Sequence, residues 1–414
     1  MRILFPAAPG YGLMLPLVPL VWAARAAGHE VLVATTAHMT KVAAASGLPV
    51  TDVFPRRDVG EDLVAGPDGP DGAAGDADDV PEGYWELARS MRPFELFTLA
   101  MTEGTVDAGR EFGADLVVYS SDHAAGKLAA VALGVPALEV GNRVSWSMRD
   151  PEFRGAARHN PRMGIVPDDS PVVQGLRRRL GLGDREPDLL ARVDPRAPSL
   201  GGLAGPEPDA DDAVPWLPMR YVPYNGGAVL PAWAIRRAAR PRILLTLGTV
   251  VPLLPGGGSS LGMLIDALAD LDAEVVLADD ETDMSQFGKL PDNLVRAGFV
   301  PLSAILPDCS LIVHHGGSGT MAAAVHYGVP QLVVPSGADN ELCARRVVER
   351  GLGLSVDPGA LDAGTVRELV GRLLTERGFR GAAADVRDEV ATQPSPAALI
   401  DTVAARWAAA RPGA

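Results

Sequence analysis

Residues 309–327 read CSLIVHHGGSGTMAAAVHY, a short apolar run followed by a glycine-rich turn and then by a helix-favouring segment. The β-branched residues of 309–313 indicate a buried strand, and the helix is expected to end at Gly328. Glycines in the turn let a ligand approach the backbone closely, and the first N–H groups of the helix favour an anion. These residues alone fit two interpretations, a phosphate-binding turn and a purely structural turn.

The segments on either side of this turn extend the pattern. Residues 301–307 read PLSAILP, residues 328–331 read GVPQ and residues 335–340 read PSGADN. Together with the turn they resemble the donor-binding signature of bacterial antibiotic glycosyltransferases, nucleotide-sugar-dependent enzymes of family 1 with the GT-B fold. The resemblance implies that sugar hydroxyls are held by Asp339 and Asn340, where relatives usually have glutamine instead of Asn340. It implies that the donor's diphosphate is held by His314 and by the amides of Gly316, Gly317, Ser318, Gly319 and Thr320.

Two further loops are expected to join this donor site. Gly248 and Thr249 follow the predicted strand 242–247, and residues 256–260 read GGGSS ahead of a predicted helix. In an open α/β sheet ligands bind at the carboxyl ends of the strands, so these loops should face the same crevice as the glycine-rich turn. Relatives hold the pyrimidine base at the position of Phe299 and Val300. Phe299 either stacks on that base or belongs to the core.

Strand and helix patterns alternate in both halves of the chain. In the first half, predicted strands at 3–8, 31–35, 115–119 and 135–140 are separated by predicted helices such as 16–27 and 124–133. The alternation restarts with strands at 242–247 and 274–277 and a helix at 260–271. Such alternation predicts an α/β protein with parallel sheets. With the resemblance, it predicts a GT-B fold of two doubly wound, Rossmann-like domains that face each other across a cleft.

The domain limits follow from changes in this pattern. We expect an acceptor-binding domain over 1–213, a Pro- and Gly-rich linker over 214–240 and a donor-binding domain over 241–395. Residues 396–414 are expected to form a helix, which in relatives crosses back to the first domain. Within the first domain, 172–180 and 188–193 have helical patterns. Residues 61–83 are rich in Asp, Gly, Pro and Ala and are expected to form a mobile surface loop.

Composition limits the class of protein. The chain has 414 residues, 47% of them apolar and 21% charged, so a folded globular protein of two or three domains is expected. A net charge of −15 argues against binding to nucleic acid. Cys309 and Cys343 cannot form a disulfide framework, so a cytoplasmic setting is expected. The uncharged stretch 3–24 imitates an export signal, but its prolines interrupt that pattern, and no run is long enough to span a membrane.

The resemblance also implies a reaction. An acceptor nucleophile attacks the anomeric carbon of the sugar, the nucleoside diphosphate leaves from the opposite face, and the configuration inverts. The donor is expected to be a deoxysugar carried by thymidine diphosphate, with a uridine diphosphate sugar as a possibility, and the acceptor a bulky apolar natural product. No cofactor or metal is required. Residues 76–78 read DAD and imitate a metal-binding triplet, but they lie in the acidic loop.

The expected general base is missing. Most relatives have a histidine where this chain has Leu13, and they often orient it with a carboxylate where this chain has Ser120. Because Asp122 and His123 lie on a neighbouring strand-end turn, we hypothesise that His123, oriented by Asp122, replaces the lost base. In the plainer alternative Asp122 caps a helix and His123 is a surface residue. A third possibility is an acceptor that hardly needs a base, such as an acidic phenol, enol or thiol, or a positioned amide-like nitrogen.

The acceptor site and the partners are less well defined. Only 5% of the residues are aromatic, and Trp85, Phe94 and Phe97 cluster either in the core or around an acceptor pocket that Tyr11 and Leu13 would complete. A homodimer and an activating partner protein are both possible. A non-catalytic, nucleotide-binding accessory homologue is the alternative function, because it would lose the same histidine. A related sugar-nucleotide epimerase is a further rival.

Overall fold

The computed structural model describes residues 1–65, 80–153, 164–248, 257–279, 282–337 and 339–411. Two sheets, each covered by helices on both faces, organise the two halves of the chain, which confirms the predicted α/β architecture. Thr249 and residues 76–78, which carried sequence predictions, lie outside the described ranges, as does most of the predicted surface loop.

The first sheet has eight strands in the order β3-β2-β1-β4-β5-β6-β8-β7. All neighbouring strands are parallel except β7 and β8, which are antiparallel. The strands are β1 Arg2–Pro6, β2 Glu30–Thr35, β3 Val50–Asp52, β4 Leu116–Ser120, β5 Ala137–Val140, β6 Leu189–Asp194, β7 Glu207–Pro208 and β8 Pro215–Pro218.

Helices cover both faces of this sheet because its central strands are apolar on both sides. Ile3 and Phe5 face a core that includes α2, whereas Leu4 between them faces α6. The helices are α1 Tyr11–Met14, α2 Val18–Ala26, α3 Met39–Ala45, α4 Val59–Ala65, α5 Tyr84–Arg89, α6 Pro93–Phe112, α7 Ala124–Leu133 and α8 Pro171–Arg179.

The second sheet has six strands in the order β11-β10-β9-β12-β13-β14, with every neighbouring pair parallel. They are β9 Arg242–Thr246, β10 Glu274–Leu277, β11 Leu294–Arg296, β12 Leu311–His314, β13 Gln331–Val333 and β14 Gly353–Ser355. The associated helices are α9 Gly257–Leu268, α10 Leu302–Ile305, α11 Ser318–Tyr327, α12 Asn340–Glu349, α13 Ala363–Thr375 and α14 Arg377–Thr392.

The last helix, α15 (Pro396–Ala410), packs against the first sheet. Leu399, Ile400 and Val403 enter the same core as Ile3, and the indole of Trp407 donates to the carbonyl of Asp115 at 3.2 Å. The chain therefore passes between the two halves twice. The two crossings touch, because the N–H of Arg220 donates to the carbonyl of Pro394 at 2.8 Å.

Two segments differ from the sequence-based expectation. Residues 188–193 were predicted to be helical, which is wrong, because Leu189–Asp194 form β6 between β5 and β8. The sheet gives this short segment partners on both sides, which decides its structure over a weak helical pattern. The predicted linker 214–240 begins with β8, a strand of the first sheet. Within the described ranges no helix is long and apolar enough to cross a membrane.

Candidate functional site

A cavity of about 430 Å³ lies between the two sheets, within the size range of small-molecule sites. It opens at the carboxyl ends of β9, β10 and β12, where ligands bind in open α/β sheets. Both halves of the chain and the segment between them line it. The polar lining residues include Tyr11, Arg143, Tyr221, Tyr224, Asn225, Thr246, Asp279, His315, Ser318, Thr320, Asp339 and Asn340, and the apolar and glycine ones Gly12, Leu15, Gly248, Phe299, Val300, Gly317 and Gly319.

The glycine-rich turn connects β12 to the start of α11 on this cavity. Gly317 precedes the helix in an extended conformation, and no side chain caps its first N–H groups. Gly316 has φ +90°, and a Cβ there would lie 2.8 Å from the backbone oxygen of Asn340, so glycine is required for both conformation and space. The uncapped helix start therefore presents backbone donors and a positive dipole end to the cavity.

His314 is fully buried beneath the turn and does not line the cavity. The N–H of Gly316 donates to its Nδ1 at 3.1 Å, so Nε2 carries the proton and donates to Gln331 Oε1 at 3.0 Å. Burial, with a smaller contribution from His315, lowers the pKa of His314 to about 3, which keeps the ring neutral. The expected direct contact of His314 with a diphosphate is therefore corrected: this side chain holds the turn together.

His315, the next residue, is the histidine that faces the cavity. Its ring lies between Gly248 and Gly317, where an added Cβ would come within 2.5 Å of Cε1 and within 2.4 Å of Nε2 respectively. Burial lowers the pKa of His315 to about 4, opposed by a hydrogen bond to the backbone of Thr246. Nδ1 has no partner in the described part of the chain. A neutral imidazole is thus available to a ligand at this point.

Asp339 and Asn340 line the cavity at the start of α12. The Asp339 carboxylate accepts from Nη1 of Arg143 at 2.5 Å, and Nη2 of the same guanidinium lies 3.1 Å from Asp122. Arg143 comes from the first half of the chain, so this ion pair joins the two halves across the cavity.

Asp122 is buried and already has several donors. Besides Arg143, it accepts from the hydroxyl of Ser120 at 2.6 Å and from the amide of Asn142 at 3.0 Å. His123 is 2% exposed and lines a separate cavity of about 560 Å³ together with Tyr119, Lys127 and Glu139. Burial lowers its pKa to about 4, with Asp122 opposing. Asp122 therefore holds Arg143, and His123 is neither at the interdomain cavity nor on the surface, contrary to both expectations.

The predicted acceptor residues divide among several places. Tyr11 lines the interdomain cavity, and the half-buried Leu13 packs on the core between the first sheet and α6. Phe97 is 7% exposed and belongs to that core, and the half-buried Trp85 packs against it beneath the guanidinium of Arg57. Phe94 lines a third cavity, of about 350 Å³, with Arg92, Ile165 and Pro171. Only Tyr11 of this group reaches the cavity between the sheets.

The predicted base-binding loop is held by the segment between the sheets. Asn225 donates from Nδ2 to the carbonyl of Val300 at 3.2 Å and accepts from the N–H of Leu302 at 2.8 Å. Phe299 is 41% exposed, and its ring lies over Gly226, where a Cβ would come within 2.9 Å of Cζ. The sequence analysis treated residues 214–227 only as a linker and missed Tyr221 and Asn225 as cavity residues. It also missed Arg143, for which no local pattern gave a signal.

Family models match both halves of the chain. The model of the N-terminal domain of proteins similar to erythromycin biosynthesis protein CIII matches residues 22–248, and the corresponding C-terminal model matches residues 262–405. A 10-deoxymethynolide desosaminyltransferase of Streptomyces venezuelae is 34% identical, over 97% of this chain and 96% of its own. The elloramycin glycosyltransferase ElmGT of Streptomyces olivaceus is 36% identical, over 96% and 95%.

Solved structures extend the likeness to the whole fold. The glycosyltransferase SnogD of Streptomyces nogalater superposes with a TM-score of 0.76 at 31% identity, covering 98% of this chain and 99% of its own. The glycosyltransferase SsfS6 of Streptomyces sp. SF2575, solved in complex with thymidine diphosphate, superposes with a TM-score of 0.72 at 31% identity and the same coverage. The two sheets and their order are thus those of GT-B glycosyltransferases.

Proposed function

The chain belongs to the EryCIII-like family of antibiotic glycosyltransferases, and on that premise we propose that it transfers a deoxysugar from thymidine diphosphate to a bulky apolar natural-product acceptor, inverting the anomeric carbon. The observation that carries this proposal is the interdomain cavity with the uncapped start of α11 at its wall. A relative of the same fold was solved with thymidine diphosphate, which supports that nucleotide over uridine diphosphate.

Each part of the donor has a candidate partner. The loop with Phe299 and Val300 would hold the thymine base, and the start of α11 with His315 would hold the diphosphate. Asp339 and Asn340 would accept and donate hydrogen bonds with the sugar hydroxyls. As the glycosidic bond breaks, negative charge grows on the leaving diphosphate. A helix-end contact stabilises such charge by roughly 0.3–1 kcal/mol when exposed and by more in a closed site.

The acceptor must lose a proton when it attacks, and the cavity supports only a weak general base. Leu13 cannot take a proton, Ser120 donates its hydroxyl to Asp122, and His123 lies at another cavity. Asp339 is paired with Arg143. A positioned base typically adds about 10²–10⁴ in rate, so its absence favours an acceptor that is already acidic, such as a phenol or enol. We expect His123→Ala to turn over close to the parental rate.

Titration calorimetry with thymidine diphosphate, uridine diphosphate and NAD tests the donor site. Tight binding of thymidine diphosphate alone supports the proposal, whereas binding of none of them removes it. Sugar-nucleotide consumption that appears only when an acceptor is added then identifies a transferase. Phenolic acceptors should react faster than aliphatic alcohols of similar shape, and equal rates would contradict the proposed acceptor class.

A non-catalytic accessory protein remains the second candidate function, because Leu13 and Ser120 stand where relatives have their base and its carboxylate. Thymidine diphosphate binding without turnover of any acceptor would favour it. We also propose the domain division 1–213, 214–240, 241–395 and 396–414, with the first domain binding the acceptor.

A further inference from the structure

We propose that Arg143, a residue of the first domain, is a donor-binding residue that contacts the donor's diphosphate, and that Asp122 positions it there. This inference rests on the donor site proposed above and adds a residue to it from the opposite side of the cavity.

The charge of the cavity gives the first argument. Among the residues that the structure describes, Arg143 is the only Arg or Lys that lines it, whereas two carboxylates, Asp279 and Asp339, line it as well. His315 is neutral near pH 7 because burial lowers its pKa to about 4. The start of α11 supplies only about half a positive charge. A diphosphate taken out of water needs a paired cation, and Arg143 is available to provide it.

The position of Arg143 gives the second argument. The N–H of Val144, the next residue, donates to Oγ of Ser318, the first residue of α11, at 3.1 Å. The backbone beside Arg143 is thus fixed against the phosphate turn itself. Its guanidinium meets Asp339, the residue expected to bind the sugar. Arg143 therefore lies between the two positions that a sugar diphosphate would occupy.

The remaining hydrogen-bonding capacity gives the third argument. A guanidinium has five N–H donors, and Nε of Arg143 has no partner among the described residues. Nearby, Tyr221 is 7% exposed and its hydroxyl would lie 3.5 Å from a Cβ placed on Gly319. Both side chains line the cavity. A ligand with several acceptor oxygens would find donors there from the first domain and from the segment between the sheets.

Asp122 explains how Arg143 stays in place when a donor enters. Its carboxylate is buried in the first sheet and fixed by Ser120 and Asn142, so it anchors one side of the guanidinium. Without a donor, Asp339 neutralises the other side. With a donor, the sugar hydroxyls compete for Asp339 and the diphosphate competes for Nη1. Asp122 is therefore a positioning residue, acting on the donor through Arg143.

Titration calorimetry of Arg143→Gln with thymidine diphosphate and with thymidine tests the inference. Loss of a charged contact should weaken thymidine diphosphate binding by about tenfold to hundredfold and leave thymidine binding within twofold. Arg143→Lys should recover part of the loss, and Asp122→Asn should give a smaller loss of the same kind. Arg346→Gln is the matched control, because Arg346 also bridges the two halves, through the carbonyl of Ser145 at 3.3 Å, but does not line the cavity.

Two outcomes would overturn the inference. A folded Arg143→Gln that binds thymidine diphosphate within twofold of the parent would make the Asp122–Arg143–Asp339 set a purely structural link between the domains. Equal weakening of thymidine and thymidine diphosphate would point to a general distortion of the site. If the single variant does not fold, the double variant Arg143→Gln/Asp122→Asn removes the unpaired buried carboxylate and takes the same measurement. A parent that binds no thymidine diphosphate would instead refute the proposed function.

Discussion

Replacing the two adjacent histidines of the turn by alanine, one at a time, should separate stability from binding. His314→Ala removes both partners of a buried hydrogen-bonded ring and leaves the N–H of Gly316 and Oε1 of Gln331 without partners. Each unsatisfied buried group destabilises by about 1–3 kcal/mol, so we expect a loss of roughly 2–6 kcal/mol. At about 2–4 °C per kcal/mol, the melting transition of the donor-side half should fall by roughly 4–20 °C.

His315→Ala should do the opposite. The ring faces the cavity, and its Nδ1 has no partner in the described structure, so its removal should change stability by less than about 1 kcal/mol. Thymidine diphosphate should bind about tenfold or more weakly, because the ligand loses a preplaced donor at its diphosphate.

Differential scanning fluorimetry and titration calorimetry on both variants check the pair, each variant serving as the control for the other. Measurements at low temperature keep His314→Ala folded while its affinity is determined. A stable His314→Ala protein that no longer binds thymidine diphosphate, beside a His315→Ala protein that binds normally, would refute the assignment of the two rings.

Three further outcomes follow from the structure. The three histidines whose pKa values are lowered to about 3 or 4 stay neutral when folded and gain protons first when unfolded, so stability should be full above about pH 6.5 and fall toward pH 4. Each contributes up to about 1.4 kcal/mol per pH unit, and His123→Gln should flatten the slope, measured by urea unfolding from pH 5 to 7. Asn225→Ala should weaken thymidine and thymidine diphosphate equally, by up to about tenfold in calorimetry, because the base-binding loop loses its clamp. Gly104→Ala should destabilise by about 3 kcal/mol in urea unfolding, because its Cβ would lie 2.0 Å from a strand-end carbonyl oxygen, whereas Gly371→Ala, on an open helix face, should stabilise by about 0.5–1 kcal/mol.

Local patterns predicted the sheet architecture and the turn at residues 314–320. A parallel strand buried on both faces is a run of apolar residues, and a helix that starts after glycines is visible as such, so β12 and α11 could be identified from the sequence. The same local view could not tell which histidine faces the ligand. His314 is the last residue of β12 and points into the packed interior, whereas His315, one residue later, points the other way.

Contacts between distant residues account for the remaining differences. Asp122 was correctly expected in a strand-end turn, but its partner Arg143 is 21 residues away and Asp339 lies 196 residues beyond Arg143. Nothing in the local sequence encodes which of several nearby charges will meet. The strand β6 has the same explanation, because its neighbours β5 and β8, which settle its structure, lie elsewhere in the chain.

The contact between Arg220 and Pro394 has a consequence for how the halves move. The outgoing and returning chains cross side by side, tied by this backbone hydrogen bond and, next to it, by Gln393 donating to the carbonyl of Arg196 at 2.7 Å. Such a double hinge permits the halves to swing about one pivot but resists their sliding or unscrewing. A protease that nicks the outgoing strand would leave the halves tethered by the returning one, so cleavage there should be silent until the protein is denatured.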